Sequence, residues 1–213
     1  VADSPLHPNQ DAARRATQSH GQAPFATVFG CADSRVAAEM IFDRGIGDLF
    51  VTRTAGQVMD SAVLGTLEFG SHVLGIPLIV VLGHDSCGAV KAARTAHASG
   101  DMPPGHLSDV VQKVTPSVLT AHRQQVTDAR GIMEQHVAAT VDLLPERSRL
   151  IGERLESGTL GIVGAAYDLA NGTVRVVAQH GLGEPVGAHG AHGHEGGVGH
   201  GGTHAGPPGA GAA

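Results

Sequence analysis

Tryptophan is absent from the sequence, and only one tyrosine and five phenylalanines are present. That excludes the stacking platforms on which single-stranded nucleic acid is bound. Basic residues are also few. Fourteen Lys and Arg against 20 Asp and Glu leave a net charge of −6, so nothing draws in a polyanionic partner. No run of 18 apolar residues occurs, and no membrane span is expected. Cysteine is confined to two positions, too few for a disulfide framework. The sequence starts at Val1 without an initiator methionine or a signal-peptide pattern, which points to a processed or truncated chain with an upstream element missing.

What is present suits one α/β domain with extensions. The 213 residues are 41% hydrophobic and 16% charged, enough to close a single core. Residues 1–24 are polar and read as an N-terminal helical arm, with Asn9 as the N-cap of a helix over "NQDAARRATQSH". Residues 25–180 form the body. "FATVFG", "DLFVTRTAG" and "PLIVVLG" read as strands, the last with the unbroken apolar pattern of a central parallel strand. Between and after them, "SRVAAEMIFDRG", residues 60–75 and "SCGAVKAARTAHAS" read as helices. In the second of these, Val63, Leu64, Leu67, Val73 and Leu74 make the apolar stripe.

Residues 101–157 read as helical with interruptions at Pro116 and Pro145, and "ANGT" marks a hairpin between two final strands. The sum is a mostly parallel open sheet, about four parallel strands plus one antiparallel edge strand, flanked by helices. Residues 181–213 hold 13 glycines in 33 positions and almost no large apolar side chain, so a disordered tail is expected. Its histidines, His189, His192, His194, His200 and His204, offer at most loose metal binding.

The two cysteines carry the chemistry. Cys31 follows the first strand in "GCADSRV", and Cys87 follows the third in "GHDSCGAV", three residues after His84. Ligands of open parallel sheets gather at the carboxyl ends of the strands, so these three residues are expected to converge. Two thiolates and an imidazole are preferred zinc ligands, and three protein ligands leave a fourth position open, the mark of a catalytic ion. Either cysteine alone would read as a small buried hydrophobe, and the pair would also allow a structural disulfide. Asp33 and Arg35, alone a cap and a surface ion pair, gain another meaning beside a metal. The carboxylate then ligates the ion or accepts a hydrogen bond from its hydroxide, and Arg35 holds it off the metal.

"CADSR" together with "HDSCGA", flanked by "FVTRTAG" and "LEFG", resembles the β-class carbonic anhydrases over roughly residues 20–180. The resemblance implies one zinc ion per chain on Cys31, His84 and Cys87, with water or Asp33 in the fourth place. It implies an Asp33–Arg35 dyad that controls access to that position. Gln22 matches a bicarbonate-binding glutamine, and Phe50 an aromatic residue of the CO2 pocket. Phe69 stands where many members have tyrosine. Ala55 completes the apolar lining, and the Gly88 N–H helps position substrate. Zinc-bound hydroxide would attack CO2 to give bicarbonate and a proton. Some pocket residues in the family come from a neighbouring subunit, which implies a homodimer or a higher homo-oligomer.

An inhibitory bicarbonate cluster found in some members is incomplete here, with Val28 in place of its tryptophan. Arg53, which matches that cluster's arginine, is therefore given a structural or interface role. His72, His97 and His106 are the histidines considered for proton transfer, and none is assigned. Two other functions compete: hydrolysis of carbonyl sulfide or carbon disulfide on the same fold, and non-catalytic metal storage. A small-molecule substrate, no nucleic-acid or membrane partner, and a cytoplasmic location that keeps thiols reduced complete the expectation.

Overall fold

Two apolar runs set the centre of the sheet. The first is β1, Ala26–Cys31, buried along its whole length. The second is β3, Leu78–His84, with Ile79, Val81, Leu82 and His84 buried. They lie side by side in parallel, and the sheet order is β2-β1-β3-β4-β5. The computed structural model describes residues 6–183. Strand β2, Leu49–Thr54, pairs parallel with β1 as a half-buried edge. Strand β4, Gly161–Tyr167, pairs parallel with β3, and β5, Val174–His180, closes the other edge antiparallel. The expected sheet, four parallel strands and one antiparallel edge strand, is the observed one.

Helices cover the sheet: α1 Ala12–Thr17, α2 Ala38–Ile41, α3 Ser61–Glu68, α4 Gly88–Ser99, α5 Leu107–Arg123, α6 Ala129–Arg147 and α7 Arg149–Glu156. In α5 the buried Val111, Val114, Val118 and Ala121 keep helical spacing. In α6 the stripe is Ile132, Met133, His136, Val137, Thr140, Val141 and Leu144, so a histidine occupies a core position. Among the described residues no helix is long and apolar enough to cross a membrane.

Several local expectations are corrected. Asn9 is not a cap: it has φ 57°, and its amide donates to both oxygens of Asp48, each at 3.0 Å. Asp11 caps α1 instead, accepting from the Arg14 N–H. The helix after Cys31 shrinks to four residues, because Asp33 and Arg35 are folded onto each other before it starts. Neither proline breaks its helix. Pro116 lies inside α5 on the exposed face, and Pro145 lies inside α6 near its end; the breaks fall after Arg123 and Arg147. Val73 leaves the apolar stripe and is exposed, because α3 runs into a π-helical turn, Phe69–Val73, that rotates it outward. The expected glycine- and histidine-rich tail lies, from residue 184, outside the described residues.

The N-terminal arm is pinned by one buried carboxylate. Asp48 accepts from the Asn9 amide, the Gly45 N–H at 2.9 Å and the Arg14 guanidinium at 3.1 Å. Burial alone would raise its pKa, but these donors outweigh it and hold the carboxyl below the ordinary value. A depressed folded-state pKa stabilises above the unfolded value, near 3.9, and that stabilisation is lost as pH falls through the folded value. Amide exchange in residues 6–20 is therefore expected to accelerate on acidification before exchange in β1 and β3 does. Asp48→Ala should produce the same loosening at neutral pH, at a cost of about 1–3 kcal/mol from the donors left without an acceptor. Equal loosening of the arm and the central strands would count against this anchor.

Candidate metal centre

Strands β1 and β3 are neighbours, so the loops leaving their carboxyl ends start beside each other. Cys31 is the last residue of β1, and His84 is the last residue of β3. Cys87 follows three residues later as the N-cap of α4. The turn between them needs Ser86 in the left-handed region, φ 55°. Among the described residues, ligand atoms of Cys31, His84 and Cys87 all lie within 4.8 Å of one another, and all three residues are buried. Both cysteines are free thiols.

The imidazole orientation is set from behind. His84 Nδ1 lies 2.7 Å from the Asp85 carbonyl oxygen, which can only accept, so Nδ1 carries the proton and donates it. Nε2 is left with its lone pair, buried and without a hydrogen-bond partner. A buried, unpartnered acceptor is costly unless something binds it. Asp85 is itself held: its N–H donates to the Tyr167 carbonyl, and its Oδ1 accepts from the Leu169 N–H at 2.7 Å. Two buried thiols and this nitrogen are a donor set that suits a divalent zinc ion, with bonds of about 2.0–2.3 Å.

The two sulfurs differ in acidity. The thiol of Cys31 is pulled down to about 4, first by the hydrogen bond from Cys87, with burial opposing. Further help comes from the backbone N–H groups of Asp33 and Gly56. The thiol of Cys87 is pushed up, first by the same bond to Cys31 and then by burial. A divalent cation changes this balance, because its charge favours both sulfurs as thiolates.

Asp33 stands beside the group and is not one of its three members. Its carboxylate accepts two hydrogen bonds from Arg35, from Nε at 2.9 Å and from Nη2 at 2.7 Å, and a third from the Arg35 N–H at 3.0 Å. Its Oδ2 lies 4.0 Å from His84 Nε2. The Arg35 guanidinium holds the Asp33 carboxyl far below the usual carboxylate range. Arg53 braces the same loop, donating from Nε to the Cys31 carbonyl at 2.8 Å and from Nη2 to the Asp33 carbonyl.

The remaining pocket residues divide between the two ends of the sheet. Gly88 is the first residue of α4, next to Cys87, and its N–H has no acceptor within the helix. Ala55 follows β2 directly, at the end where Thr54 pairs with Cys31. Phe50 pairs with Thr27, four residues back along the strands from that level, or about 13 Å at 3.3 Å per residue. Phe69 accompanies Phe50, with ring centroids 6.1 Å apart, and is exposed. Gln22 precedes β1, at the end away from Cys31, and is exposed too. Within one chain, Gln22, Phe50 and Phe69 do not line the space in front of Cys31, His84 and Cys87. The histidines considered for proton transfer have other surroundings: His97 packs on His122, and His106 faces Asp109.

Sequence reasoning missed Gly56. Its N–H donates to Cys31 Sγ at 3.3 Å, and its carbonyl accepts from His136 Nε2 at 2.8 Å. Glycine is required there: φ is 63°, and a Cβ would sit 2.5 Å from that of Ala89. The available signal was His136, a polar residue on the buried stripe of α6.

A family model described as carbonic anhydrase matches residues 26–174. The chain is 54% identical over 172 residues to carbonic anhydrase 2 of Mycobacterium tuberculosis, covering 81% of this chain and 83% of that one. It is 52% identical over 176 residues to the carbonic anhydrase of Mycolicibacterium smegmatis, covering 83% and 85%. Among solved structures, the Coccomyxa β-carbonic anhydrase in complex with acetazolamide superposes with a TM-score of 0.67 at 28% identity, covering 78% of each chain.

Proposed function

Because the chain belongs to the β-carbonic anhydrase family, and so catalyses the reversible hydration of CO2 to bicarbonate and a proton, we propose that Cys31, His84 and Cys87 hold one zinc ion per chain for that reaction. The observation that carries this reading is the convergence of two buried thiols on a buried imidazole nitrogen that has no other partner. When bound, zinc supplies the Lewis acidity that brings the pKa of water toward neutrality. The chain's own residues do the rest. Asp33, ionised and clamped by Arg35, is an acceptor beside the three ligands. It accepts a hydrogen bond from the attacking water and so aims its lone pair at the carbon of CO2. The Gly88 N–H donates a hydrogen bond to an oxygen of the bicarbonate product. Asp33 is too acidic to keep the released proton, which passes to solvent or buffer.

CO2 needs an apolar wall, and Ala55 alone is a small one. Phe50 and Phe69 of a second copy supply the remainder, with Gln22 of that copy as a polar contact for bicarbonate, which makes the active unit at least a dimer. A mixing experiment tests this. Cys87→Ala removes the metal from one subunit, and the double change Phe50→Ala/Phe69→Ala strips the wall from the other. Each variant alone should be nearly inactive, whereas co-refolded mixtures should recover activity at the one complete site of each mixed pair. Mixtures no better than the sum of their parts would sink the shared pocket.

Two thiols that must stay reduced support a cytoplasmic location. The direct test of function is stopped-flow CO2 hydration before and after chelation. Turnover should vanish with the metal and return with added zinc. Turnover that survives complete metal removal would overturn the zinc reading.

A further inference from the structure

Gly56 is gripped on both sides. In front, its N–H points at Cys31 Sγ. Behind, its carbonyl accepts from His136 Nε2, and His136 Nδ1 lies 2.9 Å from Ser117 Oγ. The chemistry of these partners fixes the ring's protonation. A carbonyl oxygen can only accept, so Nε2 bears hydrogen, and the Ser117 hydroxyl then donates to the Nδ1 lone pair. Both nitrogens are satisfied in the neutral form, which burial also favours. The ring and the hydroxyl are buried at 5% and 4% exposure, and His136 is 80 residues from Gly56 in sequence. A helix core position that would accept leucine instead holds a polar ring with two directed bonds. Without this donor the Gly56 carbonyl would be a buried acceptor left unpaired.

We propose that His136, set by Ser117, is a positioning residue for the metal centre: it fixes Gly56 so that the Gly56 N–H bonds the Cys31 sulfur. The inference rests on the reading of Cys31 as a zinc ligand. A hydrogen bond to a metal thiolate withdraws electron density from sulfur and orients it, so its loss alters both the affinity and the acidity of the metal. The Ser117–His136–Gly56 chain thus acts on the reaction through Cys31, without touching substrate.

The test uses the full chain carrying Co2+ in place of zinc, with His136→Leu, His136→Gln and Ser117→Ala. Leucine fills the site without a donor, and glutamine restores an N–H near the Nε2 position. His136→Leu should shift the sulfur-to-cobalt absorption band to lower energy and weaken zinc binding about 10- to 100-fold. The rising limb of its pH–rate profile should move to higher pH. His136→Gln should return the band most of the way to its wild-type position. Ser117→Ala, the milder change, should shift the band in the same direction by less, and it covers the case in which the leucine variant does not fold. Unshifted bands and unchanged affinity in folded Ser117→Ala and His136→Leu proteins would overturn the proposal. Failure of the wild-type chain to give any sulfur-to-cobalt band would instead overturn the zinc reading beneath it.

Discussion

Cys87→Ala will yield a folded protein that neither retains zinc nor hydrates CO2. The substitution is a gentle one for the scaffold. Cys87 is the N-cap of α4 but makes no side-chain capping bond, and it is small and buried. What it removes is one of three donors, and a thiol plus an imidazole cannot complete a tetrahedral site. Folding and metal loss can be separated by melting both proteins in chelator and then in zinc. In chelator they should unfold alike. Zinc at a hundred times the dissociation constant should stabilise the wild type by about 2.7 kcal/mol and the variant hardly at all. Stoichiometric zinc in the purified variant, or wild-type turnover, would refute the assignment of Cys87.

Asp33→Asn should behave differently: full metal content, with kcat/KM reduced by about a hundred-fold, the order of loss when a reacting group is no longer held in position. Asparagine keeps the shape and loses the charge that Arg35 grips through two hydrogen bonds. The sign of the pH dependence follows from the depressed Asp33 pKa. In the wild type this carboxylate stays ionised through the whole working range, so the rising limb of activity with pH reports the nucleophilic water and not Asp33. In the Asn variant the limb should persist with a lower plateau and a midpoint no higher than in the wild type, because loss of a neighbouring negative charge favours deprotonation of the water. Disappearance of the limb would mean that Asp33 is itself the titrating group.

The parts of this design that the sequence discloses are the local ones. "FATVFG" and "PLIVVLG" are apolar throughout because β1 and β3 are the inner parallel strands, and residues at their ends must share one rim. That is enough to bring Cys31, His84 and Cys87 together. The Asp33–Arg35 contact was also legible, since it spans two residues. The grip on Gly56 was not, because its donor is 80 positions away and helical periodicity names a core position without naming its bonds. The prolines misled for a related reason. Pro116 sits on the exposed face of α5, where the carbonyl that loses its donor is open to solvent and the cost is small. Family resemblance supplied Gln22, Phe50 and Phe69 as pocket residues, but only the strand register places them at the far end of the sheet.

That placement of Phe50 and Phe69 has a consequence for how the catalyst responds to its own abundance. In the proposed shared pocket, with the metal ligands at one rim of each sheet and the aromatic wall at the other, a lone chain would carry two unlike halves and no whole site. Specific activity would then be a function of protein concentration, flat while pairs persist and falling as dilution parts them, although every chain stayed folded.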